Sequence, residues 1–103
     1  MIRHFVALHF RAGTPADVKS NLMSELASLS DRIVGIADFQ VRPNISVEDP
    51  LVRGFRDVFW FDFKDENVRD AYLQDEVHQA IGSRIVAELE GGADGVFVCD
   101  YKV

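Results

Sequence analysis

Residues 55–63 read FRDVFWFDF, and the two sides of this stretch decide the architecture. Its aromatic and β-branched residues form a strand. Alternation puts Phe59, Phe61 and Phe63 on one side and Val58 and Trp60 on the other. A sheet built around such a strand therefore needs cover on both faces.

The rest of the chain supplies one cover and lacks the second. Residues 2–11 alternate Ile2, His4, Val6, Leu8 and Phe10 against Arg3, Phe5, Ala7, His9 and Arg11, the period of a strand with one dry and one mixed face. Thr14 as N-cap and Pro15 at the first helical position then start a long amphipathic helix, with Val18, Leu22, Leu26, Leu29 and Ile33 at helical spacing. Gly35 ends it. IADFQVR (36–42) reads as a second strand, and PNISVEDPLVRG (43–54) as a long polar loop. After the central strand, Asp65 caps a short helix through Tyr72, and another helix runs from about Asp75 to Leu89. EGGADG stops it, and VFVCDYKV (96–103) is the last strand.

The order β-α-β-β-α-β, with the second helix in two pieces, is the ferredoxin-like split βαβ arrangement, an α+β fold with helices on one face of an antiparallel sheet. The other face carries Phe5, Ala7, Val58 and Trp60 beside His9, Asp38 and Asp62. Left wet, it is an aggregation hazard. A homodimer packing sheet against sheet, as in a dimeric α+β barrel, removes that hazard.

With 103 residues and 48% hydrophobic composition, the chain makes one domain with an ample core. A net charge of −6, with basic residues scattered singly, argues against nucleic acid and acidic lipid as partners. Cys99 stands alone, so no disulfide framework is expected. The opening MIRHFVALHF is too short and too charged for a signal peptide or a membrane span, which makes a cytoplasmic location the expectation.

Two histidines carry the chemical interest. His4 sits among Ile2, Val6, Leu8 and Phe10 on the helix-covered face, either as a core histidine or as a cavity residue. In VRDAYLQDEVHQAI (68–81), Val68 and Tyr72 share one helical stripe, and His78 shares another with Ile81, Ile85 and Leu89. His78 and Tyr72 therefore point at the same interior as His4. Asp100 has the parity of Val96 and Val98, but both faces of the last strand are apolar, so it is either turned inward or wet at the strand end. Turned inward, it is expected to pair with His78 and orient that ring for general acid–base work. His9 has the opposite parity and reads as an interface residue. The histidines lack the spacing of a recognised metal site, and no glycine-rich phosphate loop precedes a helix.

Taken together, IRHFVALHF, RPNIS, AYLQDEVHQAI and CDY resemble the stress-responsive dimeric α/β-barrel (Dabb) family over nearly the whole chain. The resemblance implies a homodimer with a central barrel. Plant polyketide cyclases of this kind condense their substrate by an intramolecular aldol reaction without a cofactor. The similarity implies that His4, Tyr72 and His78 line the corresponding cavity, with Asp100 supporting the histidine. Val6, Leu8, Phe59, Phe61, Ile81, Val96 and Val98 are then the expected substrate-binding residues. Asp75 and Glu76 stand where many members carry His-Pro, and Phe59 and Phe61 narrow the space for a long tail. The expected function is a cofactor-independent cyclase, lyase or isomerase acting on a small carbonyl compound, with His78 as base and Tyr72 and His4 as donors. The competing class is a non-enzymatic stress-response protein that binds a small apolar ligand. Neither needs a metal.

Overall fold

The computed structural model describes residues 1–103. Four antiparallel strands, β1 (Ile2–Leu8), β2 (Ile36–Pro43), β3 (Asp57–Phe63) and β4 (Val96–Lys102), pair in the order β2-β3-β1-β4. Helices α1 (Ala16–Ser28), α3 (Glu66–Gln74) and α4 (Glu76–Ala87) are the three longer ones, and a four-residue α2 (Asp49–Val52) lies in the long loop. This is the ferredoxin-like fold. No helix is long and apolar enough to cross a membrane.

The core lies between the sheet and the long helices. Phe61 and Phe63 are fully enclosed and stack 5.5 Å apart, while Leu26 and Leu29 close over the sheet from the α1 side. Tyr72, 1% exposed, enters the same cluster from α3.

Several boundaries differ from the sequence reading. Pro15 is the N-cap of α1 rather than its first helical residue: its backbone is extended, and its carbonyl accepts the first turn's bond from Lys19 N. Thr14 caps nothing, because its hydroxyl donates to the Arg11 carbonyl at 2.8 Å. The helix stops at Ser28, and a 3-10 turn (Leu29–Asp31) carries the chain on with Leu29 and Ile33 still buried. Phe55 and Arg56 precede β3 instead of joining it, since Arg56 donates to the carbonyls of Asn44 and Ser46 and ties down the loop. β1 ends at Leu8, although Phe10 keeps the inward parity through a bridge to Leu89.

Asp65 caps the first piece of the second helix as the sequence indicates, and Asp75, at the start of the second piece, caps that one. Asp65 accepts from Val68 N at 3.0 Å, and Asp75 accepts from His78 N at 2.9 Å. The break between the pieces re-aims the chain, so that Tyr72 from α3 and His78 from α4 come face to face.

On the opposite sheet face, Arg3 makes a two-pronged pair with Asp62 at 2.9 and 3.0 Å. Trp60 lies under the guanidinium groups of Arg3 and Arg42, at 5.2 and 5.6 Å. Phe97 and Tyr101 on β4 are 54% and 42% exposed. His9 packs within its own chain, its ring 5.8 Å from Phe55 and filling the space over Gly54.

Candidate active site

Register builds the first half of the site. β1 lies between β3 and β4, so His4 is directly opposite Phe61 on one side and Asp100 on the other. Side chains opposite one another on antiparallel strands are within reach, and His4 Nδ1 meets Asp100 Oδ1 at 2.6 Å. The expected pairing of Asp100 with His78 is therefore corrected: the carboxylate belongs to His4. Asp100 is also held from outside, where Arg69 Nη1 donates to Oδ2 at 3.2 Å and Arg69 Nε donates to Asp70 at 3.0 Å. Arg69 escaped the sequence reading. It precedes Tyr72 by three residues on the same helix, which puts the two on neighbouring positions of one face.

The break between α3 and α4 builds the second half. The rings of Tyr72 and His78 are 3.8 Å apart, and Tyr72 stands edge-on to His4 at 5.4 Å. Phe61 and Phe63 back the tyrosine at 4.9 and 5.0 Å. Its hydroxyl has no protein hydrogen-bond partner and is not enclosed, so it opens on the cavity. Burial and, secondarily, the Asp100 charge push the phenol well above the ordinary tyrosine range, which keeps it a protonated donor. Burial, then the neighbouring His4, lowers the His78 pKa below the usual histidine value, so the ring is neutral at neutral pH. Its Nδ1 is enclosed without a partner. The Tyr72 carbonyl and Asp75 oppose the shift in part.

These groups converge on one cavity of about 260 Å³. His4, Tyr72, His78 and Asp100 line it, together with Val6, Leu8, Phe59, Val96 and Val98. Phe61 and Ile81 do not reach it, because both are spent in the core behind, at 0% and 3% exposure. Leu73, Gly82, Ile85 and Val86 join the wall instead. Leu73 lies one residue beyond the Tyr72 stripe, and Gly82 opens a gap on α4 with nothing near the position a Cβ would take. No Lys or Arg lines the cavity. Nowhere do three His, Cys, Asp or Glu side chains gather at metal-binding spacing.

Comparison with known proteins places the chain. No curated protein sequence matches it. A dimeric ferredoxin-like protein of unknown function from Jannaschia sp. CCS1 is similar, at 29% identity and a TM-score of 0.87, over 99% of this chain and 98% of the other. A Dabb family protein from Mesorhizobium loti shares the fold at 20% identity and a TM-score of 0.76, over 99% of this chain and 95% of its own. So does a hydroxynitrile lyase from Passiflora edulis, at 10% identity and a TM-score of 0.82, over 99% and 92%. The model of the stress responsive A/B barrel domain matches residues 2–103, which is nearly every residue that builds the sheet, the helices and the cavity. The chain belongs to the stress responsive A/B barrel family.

Proposed function

We propose that the cavity is the active site of a cofactor-independent lyase, cyclase or isomerase acting on a small, neutral carbonyl compound. The observation that supports this reading is the convergence of a His–Asp pair, a second, neutral imidazole and an unpartnered phenol on one apolar cavity. A binding pocket has no need of a carboxylate-backed imidazole. Proton transfer next to a carbonyl needs a base for the carbon acid and a donor for the oxygen that becomes negative. An imidazole serves as the first, and Tyr72 Oη–H as the second.

Size and polarity limit the substrate. A cavity of about 260 Å³ falls below the roughly 300–1,000 Å³ of pockets for drug-sized ligands. Without a cation in the wall, a carboxylate or phosphate substrate gains no partner there. The fold itself accommodates such chemistry, since the Passiflora protein of the same architecture is a hydroxynitrile lyase. That likeness is one of architecture alone.

The protomer is proposed to work as a homodimer through the open sheet face, as the Jannaschia protein is a dimer. The exposed Phe97 and Tyr101 support that assembly.

The test is deuterium exchange from D2O into the carbon next to the carbonyl of a neutral probe such as acetophenone or phenylacetaldehyde. The wild type is expected to accelerate exchange, and Tyr72→Phe to lose most of that acceleration, about 10²-fold, with its melting temperature preserved. Saturable binding of the probe with no accelerated exchange would instead favour a ligand-binding protein.

A further inference from the structure

We propose that the two cavity histidines are locked in opposite tautomers, His4 presenting a bare Nε2 to the cavity and His78 presenting Nε2–H. Their roles in catalysis rest on the acid–base reading above, whereas the tautomers rest on geometry.

The His4 ring is fixed by the carboxylate it meets. Its Nδ1 is 2.6 Å from Asp100 Oδ1, and a carboxylate only accepts. The other oxygen of Asp100 accepts from Arg69, a group that only donates. The proton therefore lies on Nδ1, and in the neutral ring Nε2, without a protein partner, carries the lone pair.

The His78 ring is fixed by the partner that its inner nitrogen lacks. At His78, Nδ1 is enclosed and no protein group is within hydrogen-bond geometry of it. An enclosed N–H without an acceptor is costlier and rarer than an under-used lone pair. The ring avoids that loss by carrying its proton on Nε2, which opens on the cavity where water or substrate accepts it. Burial keeps the second proton off.

The cavity thus offers one acceptor, His4 Nε2, and two donors, His78 Nε2–H and Tyr72 Oη–H. The complementary ligand is an uncharged aldehyde or ketone with an enolisable C–H, its oxygen taking both donors. His4 Nε2 takes the proton, the C–H electron pair becomes the enolate double bond, and the charge moves onto the oxygen between Tyr72 and His78. Asp100 balances the His4 imidazolium until the proton returns to carbon or to a leaving group. This exchanges the roles that the sequence alone suggests, with His4 as base and His78 as donor.

The experiment is a long-range proton–nitrogen spectrum of the imidazoles in uniformly ¹⁵N-labelled protein at pH 8. Signals are assigned through His4→Gln, His9→Gln and His78→Gln, or through bonds from the backbone where a variant does not fold. The expected result is a protonated-type Nδ1 for His4 and a protonated-type Nε2 for His78, with Asp100→Asn disturbing the first pattern and leaving the second. A His78 proton on Nδ1, or a His4 ring protonated at both nitrogens, would overturn the proposal. Opposite tautomers in a protein that exchanges no carbonyl probe would leave this assignment standing and remove only the enzymatic reading. Exchange with the tautomers reversed would do the opposite and return the base role to His78.

Discussion

His78 and His4 are two rings of one cavity with different surroundings, and the difference comes from what each nitrogen touches. Asp100 holds His4 at 2.6 Å, whereas no protein group meets His78 Nδ1. The inward parity of His4 and the stripe positions of Tyr72 and His78 were readable from periodicity alone. The partner of Asp100 was not, because a cross-strand pair depends on strand order and register, and the apolar pattern of β4 is the same on both faces. The ferredoxin-like order, which sets β4 beside β1, was the signal that pointed to His4. The environment of His78 also has a pH signature. The titratable and charged groups facing it are His4, Tyr72 and Asp75, and its folded-state pKa lies below the ordinary histidine value of about 6.5. The unfolded chain therefore binds more protons just below pH 6.5, so the contribution of His78 to stability is complete above that value. It is lost as pH falls from there through the lowered folded value. Thermal melts between pH 8 and 5 are expected to show a steeper acid decline in the wild type than in His78→Gln. Parallel curves would mean that the fold does not disfavour the charged ring.

At the scale of elements, the break between α3 and α4 creates the cavity. Asp75 ends one helix and starts the next, with Oδ1 on His78 N and Oδ2 accepting from Arg32 Nε at 2.9 Å. Those bonds, the His78 N–H first, hold its carboxyl below the ordinary range. Asparagine caps a helix about as well as aspartate, and alanine does not. Asp75→Ala is therefore expected to lower the melting temperature and shift the ring resonances of both Tyr72 and His78, while Asp75→Asn stays near the wild type. Equal losses in both variants would assign the role to the Arg32 ion pair rather than the cap. The Asp65 cap was legible because an aspartate there directly precedes a helical run whose first N–H groups need an acceptor, whereas Asp75 was legible only as the start of the second piece. The start of α1 was less so, since proline suits either of two adjacent positions and the Thr14 hydroxyl chose a carbonyl over the helix. The four residues of α2 are too few to show a period, which is why the loop hid them.

For the molecule as a whole, the two-sided stretch that becomes β3 (Asp57–Phe63) implied the fold correctly, with helices over Phe59, Phe61 and Phe63 and an open face around Trp60. What composition could not reveal is how that face is dressed: Arg3 and Arg42 cover the indole, and the largest exposed rings, Phe97 and Tyr101, come from the edge strand. Sedimentation at micromolar concentration is expected to give a dimer, and Trp60→Glu, which forces a charge into the contact, a folded monomer. A wild type that sediments as a well-folded monomer would contradict the assembly. His4, Tyr72, His78 and Asp100 are proposed to work as one acid–base site. The most direct test is a double-mutant cycle on deuterium exchange into the carbonyl probe, with His4→Gln, Tyr72→Phe and the double variant. Groups that act as a unit are not additive, so the double variant is expected to exchange the probe no more than a few-fold slower than His4→Gln alone. Losses that multiply, or single variants as fast as the wild type, would contradict the claim.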